Sequence, residues 1–226
     1  MMEVRDYIQR IFPGLVLKPS LYHQWDISIH FELAKGLYQF KSETDELNSE
    51  YFNQVYNQAL LLFNDIFATE DKILLVTNVY QCNDYVGRSK KKMKVYSHYI
   101  TNNNRRIRLK QETLPYMFDD EEEAKERCTS QFSLECRKQD IRFPLLVKAI
   151  CNQDFPPLKP RLHNPYGLYG PDVFFINVTK NVILYIYDDR GCEVIARDIE
   201  TIRPLYEKYT NWVDEYCREE INQRFK

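Results

Sequence analysis

Hydrophobic and polar positions along this chain repeat with two different periods, and the switches between them lay out its elements. In QWDISIHFEL, Trp25, Ile27, Ile29 and Phe31 alternate with Asp26, Ser28, His30 and Glu32. That period of two predicts a strand buried on one face. Lys35-Gly36 predicts a turn, and Leu37 to Phe40 a second strand returning from it. The period then changes to three or four. Phe52, Val55, Tyr56, Ala59, Leu62, Phe63 and Ile66 predict a helix capped at Asn48-Ser49 and ending near Phe67. Lys72 to Tyr80 is nearly continuous in apolar residues, the mark of a central strand covered on both faces. Upstream of all these, Val4, Tyr7, Ile8 and Ile11 form the stripe of a short helix stopped by Pro13-Gly14.

The second half repeats the same vocabulary. Gln131 to Lys138 predicts a strand with Phe132, Leu134 and Cys136 on one side. Phe143 to Cys151 predicts a compact helix, with Asp140 as its cap and Pro144 weakening the first turn. Asp172 to Val178, Val182 to Tyr187 and Cys192 to Arg197 predict three strands. The turns between them are Thr179-Lys180-Asn181 and Asp188-Asp189-Arg190-Gly191, the latter with Gly191 left-handed. One long helix should follow, capped by Thr201, with Pro204 in its first turn. Its stripe is Ile202, Leu205, Tyr206, Tyr209, Trp212, Val213 and Tyr216. These elements predict an α+β fold: a mixed, mostly antiparallel sheet with helices packed on it. The chain reads as one domain, 1–226, with candidate halves 1–153 and 172–226 joined by a Pro-rich loop, 154–171. WDISIHFELAKGLYQF and DVFFINVTKNVILYIYDD, each followed by a helix, suggest two related strand-strand-helix halves, an echo that chance in an α+β chain also explains.

Two segments stand out by composition. Val86 to Gln111 carries nine Lys and Arg residues and no acid. Met93 to Ile100 and Arg105 to Lys110 are predicted as arms of a basic hairpin closed by Thr101 to Asn104. The acidic run Asp119 to Glu123 then opens a short helix, where negative charge meets the positive end of the helix dipole. The loop 154–171 holds Pro156, Pro157, Pro160, Pro165 and Pro171, which exclude a regular helix. Long loops of this kind are often functional.

Candidate chemistry is sparse. Asp188 and Asp189 are too few ligands for a divalent cation, and no third is apparent in the sequence. Cys192 beside them has no histidine nearby in sequence and reads as an ordinary strand residue. His23, His30, His98 and His163 lack any ligand spacing, so no metal and no cofactor are expected. The six cysteines form no C-x-x-C pair and read as reduced thiols, mostly small core residues. The N-terminus has no export-signal core and no stretch of eighteen apolar residues exists, so a cytoplasmic protein without a membrane span is expected. A net charge of −2 over 226 residues gives no global attraction to nucleic acid or anionic membrane. Aromatics reach 14%, with 17 Tyr, and a tyrosine-rich exterior suits contact with a partner.

DVFFINVTKNVILYIYDDRGCEVIARDIETIRPLYEKYTNWVDEYCREEI and the upstream QWDISIHFELAKGLYQF resemble an uncharacterised family of Bacillus-type bacteria, domain of unknown function 3885. The resemblance implies a bacterial, cytosolic, stand-alone protein and carries over no catalytic residue. Small α+β proteins of such bacteria are often immunity proteins, or other inhibitors of a toxin or defence effector. The leading expectation is therefore a non-enzymatic protein that binds and blocks another protein. Its expected contacts are Lys91, Lys92, Lys94, Tyr96, Tyr99, Arg105 and Arg106 in the basic hairpin, and Arg161, His163, Tyr166 and Tyr169 in the Pro-rich loop. The alternative is an enzyme of unrecognised type with Asp188, Asp189 and His163 in one cleft. A nucleic-acid binder using the hairpin comes third.

Overall fold

A computed structural model describes residues 3–42, 44–85, 94–162 and 169–226. Seven strands form one antiparallel sheet: β1 (Ser28–Glu32), β2 (Ile73–Cys82), β3 (Lys110–Pro115), β4 (Arg127–Cys136), β5 (Asp172–Asn177), β6 (Val182–Ile186) and β7 (Gly191–Ala196). Their order is β1-β7-β6-β5-β2-β4-β3. Among the described residues, eight α-helices accompany them: α1 (Val4–Ile11), α2 (Ser49–Ile66), α3 (Lys94–Tyr99), α4 (Asn103–Arg106), α5 (Glu121–Glu126), α6 (Phe143–Cys151), α7 (Ile199–Lys208) and α8 (Arg218–Arg224). The chain is thus an α+β protein, as its pattern predicts.

Both faces of the sheet centre are covered, which explains why β2, β5 and β6 read as unbroken apolar runs. Leu75, Phe175, Leu184 and Val194 face α2, α6 and α7. Val76, Phe174, Ile183 and Ile195 face the other way, against Val4, Tyr7 and Ile8 of α1 and the segment through Leu21. The two-fold alternation of these strands therefore survives as a choice between two cores. Four cysteines are buried and all six are free thiols, matching the small core role expected. No helix among the described residues is long and apolar enough to cross a membrane.

The structure corrects several expectations. Residues 37–40 form no strand; only an isolated bridge, Phe40 to Leu47, remains, so the first strand-strand-helix half lacks its second strand. Among the described residues the basic hairpin is absent. Its first arm is α3, its second is α4, and the strand begins only at Lys110. The cause is visible in Val95, Tyr96, Tyr99 and Ile100, whose spacing also fits one face of a helix. Asn102 caps α4 by accepting from the Asn104 and Arg105 amides.

Strand β4 starts four residues earlier than its apolar pattern, because Thr129, Ser130 and Gln131 are buried polar residues paired with β2. Asp140 caps a short 3-10 turn, accepting from the Arg137 amide, and Arg142 precedes α6. The last helix is broken in two. It starts at the cap Asp198, which places Pro204 inside α7. It stops at Tyr209 because Val213 bridges Phe31 at the free edge of β1. Such coverage protects an edge strand from pairing with other chains.

Candidate functional site

The free end of β1 is where polar chemistry collects. A cleft of about 840 Å³ opens there between the turn after β1, the turn between β6 and β7, and the segment joining α7 to α8. Its walls include Lys35, Tyr38, Tyr187, Arg190, Asp214 and Tyr216. The first turn is held by a buried contact. Ala34 adopts a left-handed φ of 51°, and its amide donates to Gln58 Oε1 of α2 at 2.6 Å. Across the cleft wall, Lys35 pairs with Glu215 at 2.7 Å. Tyr38 and Tyr216 project from the rim, 77% and 100% exposed.

Two clusters of titratable groups flank Tyr187. The first is the acidic turn. Asp188 accepts from the Arg190 amide at 2.7 Å and from its guanidinium Nε at 2.9 Å. Asp189 accepts from the Tyr51 hydroxyl at 2.8 Å and from Gln39 Nε2 at 3.2 Å. Burial, and then the neighbouring Asp188 charge against the two hydrogen bonds, leaves the Asp189 carboxyl above its ordinary range. Asp154 supplies the third carboxylate missing from the sequence reading, with oxygens of all three inside 4.8 Å. Its own pKa is raised by burial and by Asp188. The chain itself already supplies partners to Asp188 and Asp189. Gly191 closes this turn, and its φ is not left-handed as predicted. Glycine is needed for room instead, since a Cβ there would collide with the Tyr187 hydroxyl and the Phe31 carbonyl.

The second cluster is His30, Asp214 and Cys217. His30 alternates onto the polar side of β1, as expected, and its Nε2 lies 3.0 Å from the Tyr187 hydroxyl. Its Nδ1 lies 3.7 Å from Cys217 Sγ. The backbone sets this meeting: the Asp214 amide donates to the His30 carbonyl at 2.9 Å, and the Cys217 amide donates to the Asp214 carbonyl at 3.3 Å. Burial pulls the His30 pKa down against the opposing pull of Asp214. Burial and Asp214 push the Cys217 thiol up. The resting pair is therefore neutral imidazole and thiol. Nothing in the sequence marks this set, because 184 positions separate His30 from Asp214.

The contacts predicted from sequence scatter. Tyr96 is buried, its hydroxyl donating to the Phe132 carbonyl at 3.0 Å, and Tyr99 is buried as well. Arg105 faces Asp140 at 3.6 Å and Arg106 donates to the Ser97 carbonyl at 3.0 Å. Lys94 opens α3, while Lys91, Lys92, His163 and Tyr166 lie outside the described residues. Arg161 donates to the Gln153 carbonyl at 3.1 Å. Tyr169 is half-exposed beside Phe118. Cys192 is fully buried and burial raises its thiol pKa, so it is a core residue.

Fold and cleft define the class: an α+β protein built on one seven-stranded antiparallel sheet, with its polar recess beside the β1 edge. Residues 4–217 match the family described as "Domain of unknown function (DUF3885)", and the chain belongs to it. The chain is also similar to an uncharacterised protein of Bacillus subtilis (strain 168), YnaE. The two are 45% identical over 215 residues, covering 95% of this chain and 99% of that one. No solved structure matches.

Proposed function

We propose that this is a non-enzymatic interaction protein that binds another protein through the cleft beside β1 and blocks it, in the manner of an immunity protein or defence inhibitor. One observation carries the reading: Tyr38 and Tyr216 stand almost wholly in solvent on the rim of a wide cleft walled by both signs of charge. A tyrosine ring supplies a large rigid contact area with little entropy to lose, and such rings dominate binding hot spots. The charges of Lys35, Glu215 and Arg190 around them supply a polar rim. The contact surface proposed here replaces the basic hairpin, whose tyrosines are buried and whose Arg105 and Arg106 are held by the chain itself. Against the enzyme alternative, Asp188 is engaged by Arg190 of its own turn and Asp189 by Tyr51 of α2, and Cys217 carries a thiol raised by burial, the opposite of an activated nucleophile.

A photo-crosslinking amino acid placed at position 38 or at position 216 tests the reading in the native host. The expected result is one crosslinked protein, whose affinity for the purified chain falls at least tenfold in the Tyr38→Ala/Tyr216→Ala double variant. Equal affinity in that variant, or no crosslinked protein from positions 38 and 216, overturns it.

A further inference from the structure

The geometry points to a zinc site formed by His30 Nδ1, Cys217 Sγ and an Asp214 carboxylate oxygen, with the fourth position open to water. The donor set mixes nitrogen, sulfur and oxygen, the ligands that Zn²⁺ takes from proteins. With Zn–N of about 2.0 Å and Zn–S of about 2.3 Å, tetrahedral ligands stand about 3.5 Å apart. The observed Nδ1 to Sγ separation is 3.7 Å, and a ring nitrogen of His30, Cys217 Sγ and an Asp214 carboxylate oxygen all lie inside 4.8 Å of one another.

The surroundings fit as well. A ligating imidazole needs its other nitrogen held by a partner, which fixes the ring orientation and tautomer. Here Tyr187 Oη holds Nε2 at 3.0 Å. Glu193, the register partner of His30 on β7, is engaged elsewhere, accepting from the Tyr22 amide at 3.3 Å. Asp214 and Tyr187 belong to the cleft wall, which gives the ion its path of entry. The three ligands come from β1 and from the turn before α8, so the ion would tie that turn to the sheet edge and steady Glu215 and Tyr216 on the rim. Binding releases the Cys217 thiol proton to solvent as the Zn–S bond forms, one proton per ion. The inference stands whatever the cleft binds.

The test uses the full chain stripped with chelator and titrated with Co²⁺, then with Zn²⁺. The expected result is one Co²⁺ per chain with intense tetrahedral absorption and a thiolate charge-transfer band, both displaced by Zn²⁺. Cys217→Ser abolishes the charge-transfer band. His30→Gln and Asp214→Asn each weaken Zn²⁺ at least tenfold, and Tyr187→Phe weakens it about tenfold through the lost support of Nε2. Far-UV circular dichroism checks that each variant folds, and three independent ligand variants keep the test open if one does not. Cys82→Ser, which removes the exposed thiol, and Asp154→Asn, in the loop after α6, leave binding unchanged. The site is wrong if wild type gives no tetrahedral cobalt spectrum. It is equally wrong if the spectrum survives Cys217→Ser or disappears with Cys82→Ser.

Discussion

The acidic turn and the histidine cluster lie on either side of Tyr187, yet they are opposite kinds of polar site. In the turn, the buried carboxylates meet donors from Arg190, Tyr51 and Gln39. In the cluster, a half-buried imidazole meets a thiol at a distance too long for a strong hydrogen bond. The turn is conspicuous in sequence and is structural. The cluster is invisible in sequence; its Asp214 accepts from the Tyr216 amide at 2.9 Å, while His30 Nδ1 and Cys217 Sγ are left facing each other. Density of charged letters is a poor guide to chemistry; what matters is whether the fold already supplies each group with a partner.

A carboxylate outside both clusters extends the contrast. Asp172 accepts from the hydroxyls of Tyr185 at 2.6 Å and of Tyr80, with no cation among them. Burial raises its pKa from 3.8 to about 6, although both hydroxyls favour the charged form. A carboxyl raised on folding destabilises the folded state once ionised. That penalty is absent below the unfolded pKa, grows between about pH 4 and pH 6, and is full at neutral pH. Asp172→Asn is therefore expected to gain about 3 kcal/mol over wild type at pH 8 and almost nothing at pH 4. Urea unfolding of both proteins across that range measures the difference. A flat difference would place Asp172 with the satisfied carboxylates of the turn.

Asp189→Ala should lower stability by about 1.5 kcal/mol, because the buried Tyr51 hydroxyl loses its carboxylate acceptor at 2.8 Å and keeps only the residue-189 carbonyl at 3.3 Å. Denaturant midpoints at neutral pH read this directly. Unchanged stability would erase the distinction between turn and cluster. Cys217→Ser belongs to the other side of the comparison. Without metal it should shift stability by less than about 1 kcal/mol, since the thiol makes only a weak contact. With Zn²⁺ present, wild type alone should gain melting temperature as the ion is raised. Smallest of all, Tyr38→Ala and Tyr216→Ala should each stay within about 0.5 kcal/mol of wild type, as exposed positions do. A larger loss in thermal unfolding would show that the rim is packed rather than presented.

Much of the scaffold was legible in the residues. Helix α2 follows from periodicity and its Asn48 cap, and helix α6, the central strand β2 and the three strands β5 to β7 follow from periodicity alone. The misreadings share a cause. Residues 37–40, 94–106 and 199–216 each carry a local pattern compatible with more than one element, so the surrounding structure decided. Tyr96 made α3 a helix by planting its hydroxyl between β2 and β4. Val213 ended the long terminal helix by pairing with Phe31.

Local spacing, read by itself, determined the α+β class, the buried strands and the limits of α1, α2 and α6, because hydrophobic period and capping are short-range properties of the chain. Tertiary structure alone decided where the polar groups meet. His30, Asp214 and Cys217 come together through one backbone bond between a strand near the start and a turn near the end, and no short-range rule carries information across that distance.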